Sequence, residues 1–129
     1  MADVTITNSQ ITAIDEAGDV TSNAATETTD ETAETFVYTP TAQANGVIVR
    51  VYTAAAVTAT FAEGDGVFAN SDTSEDLAAG TYIYYLDLGR YLNSDGEVEM
   101  SFLPTGSSED LVNDCALTVE VLEVDLDTQ

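Results

Sequence analysis

From Val47 to the end of the chain, short runs of alternating apolar and polar residues are broken by turn-forming residues, with no sustained helical periodicity. This is how an antiparallel sheet protein reads in sequence. Val47, Val49 and Val51 alternate with Ile48, Arg50 and Tyr52, predicting a strand with one fully apolar face and one amphipathic face around the guanidinium. Val57, Ala59 and Phe61 alternate with Thr58 and Thr60 until Glu63-Gly64-Asp65-Gly66 ends the run. In Thr81-Tyr82-Ile83-Tyr84-Tyr85-Leu86-Asp87-Leu88, one face takes Tyr82, Tyr84, Leu86 and Leu88, and Ile83 with Tyr85 makes the other partly apolar. Asn93-Ser94-Asp95-Gly96 then predicts a hairpin to a strand through Val98, Met100 and Phe102, with Gly96 supplying the positive φ. The final strand buries Leu117, Val119 and Val121. Its apolar parity then switches to Leu122, Val124 and Leu126, predicting a β-bulge near Val121-Leu122 or a cover over the second half.

The first third differs. Val4-Ile6 and Ile11-Ala13-Ile14 are short strand candidates, but residues 15–35 are rich in Thr and Ala and hold seven carboxylates and no base. Such a segment is expected to be loose on its own and ordered by a partner. Phe36-Val37-Tyr38-Thr39-Pro40 opens the compact part, with Pro40 at a strand end. The expected organisation is therefore an N-terminal strand and acidic arm over residues 1–35, then a domain over residues 36–129. The fold class is all-β, an antiparallel β-sandwich or a jelly-roll-like barrel with an extended N-terminal arm.

Charge changes the picture of the solvent. The 129 residues carry 24 carboxylates against two basic side chains, Arg50 and Arg90, for a net charge of −22. At physiological salt, with a Debye length of about 8 Å, that repulsion weakens a compact state; in molar salt the length falls to about 3 Å. The composition is that expected of a protein folding in concentrated brine, in a halophilic archaeon or its virus. A hydrophobic fraction of 44% is too high for a solvated polyanion. With almost nothing basic to neutralise phosphate, neither nucleic acid nor an anionic membrane is an expected partner. Met1-Ala2-Asp3-Val4 carries no basic or apolar signal region, so synthesis in the host cytoplasm without export is expected.

The chemical inventory is thin. Without histidine or lysine, and with Cys115 the sole cysteine, no triad, Schiff base, intrachain disulfide or zinc set is expected. Two carboxylates would suffice for a glycosidase, but 24 guarantee accidental pairs and no tryptophan offers a sugar platform. The chain is read as a non-enzyme without cofactor. The acidic turns at Glu63-Gly64-Asp65-Gly66 and Asn93-Ser94-Asp95-Gly96-Glu97 suit hard cations but do not match a calcium-loop spacing, so no metal site is assigned. Cys115 reads as a small buried hydrophobe before the last strand.

Scarcity makes the two arginines informative. Arg50, between two apolar β-branched residues, is expected to pair with a carboxylate inside the fold or at a subunit contact. Arg90 follows Gly89 at a strand end, within reach of Tyr91. Tyr82, Tyr84 and Tyr85 use both faces of one strand, and a sheet apolar on both sides needs a cover on the second. Arg50, Arg90, Tyr82, Tyr84, Tyr85 and Phe36 are therefore the candidate interface residues.

The motifs Phe36-Val37-Tyr38-Thr39-Pro40-Thr41, Gly46-Val47-Ile48-Val49-Arg50-Val51 and Ala62-Glu63-Gly64-Asp65-Gly66-Val67-Phe68 are followed by Leu77-Ala78-Ala79-Gly80-Thr81 and Leu86-Asp87-Leu88-Gly89-Arg90-Tyr91. Asn93-Ser94-Asp95-Gly96 and Thr118-Val119-Glu120-Val121-Leu122-Glu123-Val124 complete a series whose order and spacing resemble the head decoration (capsid cement) proteins of tailed viruses. The acidic segment before Phe36 departs from that pattern. The resemblance implies a β-sandwich module on the outer surface of an HK97-type capsid, with the major capsid protein as partner. It also implies a homo-oligomer, with a trimer expected ahead of a pentamer or hexamer. Combined with the charge, it implies a haloarchaeal tailed virus. The competing expectation is a virion turret, spike or fibre domain that binds the host surface through loops such as residues 63–75.

Overall fold

The computed structural model describes residues 3–7, 9–11, 21–40, 46–64 and 72–124 of the chain. The elements run β1 (Val4–Thr5), β2 (Ser9–Ile11), β3 (Asn23–Ala24), β4 (Glu34–Tyr38), β5 (Gly46–Thr53), β6 (Val57–Phe61) and β7 (Thr73–Leu77). They continue with β8 (Gly80–Asp87), a single helical turn α1 (Leu88–Tyr91), β9 (Val98–Pro104) and β10 (Thr118–Val124). One sheet has the order β1-β4-β9-β6-β7 and the second β2-β10-β5-β8, with β3 also pairing β10. The pairings are antiparallel except β1 with β4 and β2 with β10. The protein is an all-β sandwich.

The core follows the period of two. Phe36 and Tyr38 on β4, Val57, Ala59 and Phe61 on β6, and Val98, Met100 and Phe102 on β9 face Val47, Val49 and Val51 on β5 and Val119 and Val121 on β10. Each fully buried side chain of this size contributes about 1.5–3 kcal/mol of transfer free energy. Phe36 meets Phe102 edge to face, with ring centroids 5.4 Å apart. Cys115 is buried in the segment entering β10, as its position in the sequence implied, and burial pushes its thiol up.

Four expectations are corrected by the pairing. The described part of residues 1–35 is woven into both sheets rather than extended as an arm. Val4 pairs Phe36, Ser9–Ile11 pairs the end of β10, and Asn23 pairs Val119. Backbone ladders and buried polar contacts replace the missing apolar periodicity there. The Asn23 side chain accepts from Thr7 N at 2.8 Å and donates to the Val119 carbonyl at 2.9 Å, while buried Glu34 accepts from Thr26 N at 2.8 Å and Glu27 N at 3.1 Å. The Ala13-Ile14 candidate lies outside the described residues. Second, β8 and β9 do not form a hairpin: they belong to different sheets, and the chain crosses between them through α1. Asp87 caps that turn by accepting from Gly89 N, and the Asn93 side chain accepts from Asp95 N and Glu97 N, both at 3.0 Å. Gly96 does take the positive φ, at 76°.

Third, no bulge interrupts β10, whose register against β5 is continuous from Thr118 to Leu122. The inward position after Val121 is Glu123, fully buried, whose carboxylate accepts from the Tyr38 hydroxyl across the two sheets. Leu122 keeps its strand parity and faces outward. Fourth, residues 73–75, expected as the end of a loop over residues 63–75, belong to β7, which carries no hydrophobic alternation. It is an edge strand exposed along Thr73–Asp76, held by pairing to β6 with only Leu77 buried.

Candidate functional site on the outer face of the second sheet

The two outer faces of the sandwich differ in chemistry. Across the first sheet, outward positions pair hydroxyls and acids: Thr35 with Ser101 at 3.0 Å, Thr58 with Asp76 at 2.8 Å, Thr60 with Ser74 at 2.9 Å. Across the second sheet, the register aligns three rows. Leu122, Ile48 and Tyr85 form one, Glu120, Arg50 and Ile83 the next, and Thr118, Tyr52 and Thr81 the third. Ile83 is 72% exposed and Tyr85 70%, with Tyr52 also exposed. Grouped large apolar side chains of this kind are a feature that interaction surfaces share.

Charge is sparse and balanced on this face. Arg50 and Glu120, cross-strand neighbours on β5 and β10, form an ion pair, and Glu120 also accepts from the Ser22 hydroxyl. The pair sits between two shallow depressions. An apolar one of about 120 Å³ is lined by Ile48, Arg50, Ile83, Glu120 and Leu122. A more polar one of about 320 Å³ is lined by Arg50, Tyr52, Thr81, Thr118 and Glu120. Gly46 supports the aromatic end of the patch, because its bare Cα lets the Tyr85 ring lie against β5 where a Cβ would collide with it.

The six residues predicted as an interface divide accordingly. Arg50 and Tyr85 lie on the face, and the Arg50 partner is intrachain. Tyr82 and Tyr84 point inward and close the open side of the sandwich: Tyr82 donates to the Ala78 carbonyl at 2.9 Å and Tyr84 to Glu75 at 3.3 Å, with the Tyr84 ring on Phe61. Burial, then the Glu75 carboxylate, pushes the Tyr84 phenol up to about 12. Arg90 lies at the end of α1, 3.7 Å from Asp87. Phe36 is fully buried, so its place among the candidates is corrected: it is a core residue, since β4 has a strand on each side and turns Phe36 onto Phe102. The residues that complete the face, Ile48, Tyr52, Ile83 and Leu122, were visible only as outward apolar positions, and Leu122 was masked by the apparent parity switch.

Among the described residues, Asp30, Asp110 and Asp114 bring carboxylate oxygens within 4.8 Å of one another, an oxygen set of the kind hard cations take. Two of these groups already serve the loop. Asp110 accepts from Asn113 N at 3.1 Å and from its side chain at 3.0 Å, and Asp114 accepts from Asp110 N at 2.9 Å. The bonds that the Asp110 carboxyl accepts, led by that from the Asn113 backbone, hold it below the usual carboxylate range against the opposing effect of burial. Of the acidic turns in the sequence, Asp65 and Gly66 lie outside the described residues, and the Asn93 side-chain oxygen is engaged by backbone N–H groups. Among the described residues no helix is long and apolar enough to cross a membrane.

No family model, no curated protein and no solved structure matches this chain.

Proposed function

We propose that this protein is a structural component of a virion, decorating and stabilising the outside of an HK97-type icosahedral capsid in high salt, with the major capsid protein as its partner. The carrying observation is the contrast between the sandwich's two outer faces, one mainly hydroxylic and acidic with Leu103 its one exposed large apolar side chain among the described residues, the other grouping Ile83, Tyr85 and Tyr52 around a balanced Arg50–Glu120 pair. On a chain of net charge −22, that second face is where another protein surface approaches with least repulsion. Covering Ile83, Tyr85, Tyr52 and their neighbours returns about 1.5–3 kcal/mol for each side chain fully withdrawn from water, against the cost of immobilising the protein. Repeated over a shell, such contacts bridge capsid subunits against outward pressure, while the acidic remainder keeps particles dispersed in brine. The role needs no reacting group, in keeping with a chain that lacks histidine and lysine.

The test is made on virus heads from the native host in molar salt. The protein is expected to co-purify in a copy number that scales with capsid subunits, and its loss on lowering the salt is expected to leave heads fragile. Heads equally robust without it would refute cementing. The polar depression beside Tyr52, with the Thr81 and Thr118 hydroxyls, favours a second reading as a turret, spike or fibre domain that contacts the host surface. A few copies per virion would select that reading.

A further inference from the structure

β8 is an eight-residue strand paired, among the described residues, with β5 alone. It ends the order of the second sheet, and among the described residues no strand pairs its other edge. In an antiparallel ladder alternate residues bond one neighbour, so about half of the β8 N–H and C=O groups point away from β5. Soluble proteins protect such edges by shortness, charge, proline or a bulge. The other edges here follow that rule: β1, β2 and β3 are two or three residues long, and β7 carries Glu75 and Asp76. β8 does not. In a chain with 24 carboxylates its one charge is Asp87 at the last position, turned to Gly89 N at 2.9 Å and toward Arg90.

We infer that the free edge of β8 pairs antiparallel with β8 of a second copy of this chain, joining the two second sheets into one. The strand suits its own image. With a two-fold axis at Tyr84, residues facing outward stay opposite residues facing outward, Ile83 lies across from Tyr85 of the other copy, and Thr81 lies across from Asp87. Aromatic and β-branched residues thus meet, and no carboxylate on the strand faces another, the condition two strongly acidic chains must meet to approach. Glu75 and Asp76 on the neighbouring edge still repel their counterparts, so the pairing depends on salt. Its product sets both apolar faces side by side on one surface. The use of that doubled surface on a shell rests on the function proposed above; the pairing itself does not.

The experiment uses purified protein in molar KCl without capsids, combining sedimentation velocity with residue-resolved hydrogen exchange over a concentration series. A dimer is expected, with the β8 amides that face away from β5 exchanging at least tenfold more slowly as it forms. Thr81→Glu, which sets a carboxylate opposite Asp87 twice per dimer, is expected to weaken association at least tenfold. Thr81→Arg at the same exposed position is expected to strengthen it. A folded wild-type monomer at millimolar concentration overturns the inference, as does a dimer whose outward β8 amides still exchange as in the monomer. Equal effects of the Glu and Arg variants overturn the register. Failure of the protein to bind heads, with the dimer intact, counts against the capsid role alone.

Discussion

Tyr38→Phe tests how the two sheets are held together. Tyr38 on β4 and Glu123 on β10 are both fully buried, and the phenol donates to the carboxylate inside the sandwich. Removing the hydroxyl leaves ring packing intact but takes a donor from a buried carboxylate, expected to cost about 2–3 kcal/mol. Glu123→Met alone is expected to cost a similar amount, because it strands the phenol. The double variant is expected to recover part of the loss, with a coupling energy of about 2 kcal/mol in the cycle. Urea titration in molar KCl provides the assay, an unchanged denaturant slope showing that only stability has moved. The pair also carries a pH signature. Burial first, then the hydrogen bond and charge of Glu123, raises the Tyr38 phenol far above its ordinary value of 10.0, so the folded state holds that proton more tightly than the unfolded chain. The associated stability is complete below about pH 10 and is lost as pH rises from there toward the folded value. The gap between wild type and Tyr38→Phe is therefore expected to narrow by about 1.4 kcal/mol per pH unit above about pH 10. A Tyr38→Phe cost below about 0.5 kcal/mol, or a gap unchanged with alkali, would refute the reasoning.

Two further substitutions probe the exposed face. Arg50→Gln is expected to lower stability by less than about 1 kcal/mol in urea titration, because the guanidinium is 53% exposed and screened by solvent and salt. A loss of several kcal/mol would mean that the ion pair is a structural keystone. Gly46→Ala is expected to cost about 1–3 kcal/mol, since the new methyl collides with the Tyr85 ring and comes within 2.8 Å of the Leu86 carbonyl, which cannot swing aside. Tyr85→Ala in the same background is expected to restore only the ring's share, leaving the backbone clash measurable by the same titration.

Legibility followed burial. The strands around Val49, Ala59, Met100 and Val119 were readable because each alternates a buried apolar residue with an outward one. β7 was not, because an edge strand with solvent on nearly all sides places no hydrophobic demand on Thr73–Asp76. The β8–β9 hairpin was misread because the turn at Asn93–Gly96 carries the right residues, yet α1 redirects the chain to the other sheet before it. At the candidate site, the alternation around Arg50 and in β8 pointed to a second apolar face. Phe36 was misplaced because an aromatic near a strand start looks the same whether that strand is covered or free.

The sequence by itself determined the fold class, because period-two alternation of apolar and polar residues has one structural meaning. Only the tertiary structure decided which strands neighbour one another, and hence that residues near the N-terminus complete both sheets and that Glu123 belongs inside. It also decided that Ile48, Tyr85 and Leu122 share one uncovered row. Strand pairing is made of backbone bonds that every residue except proline offers alike, so partner choice is set by the long-range fit of buried side chains. That fit exists only once the two sheets have met.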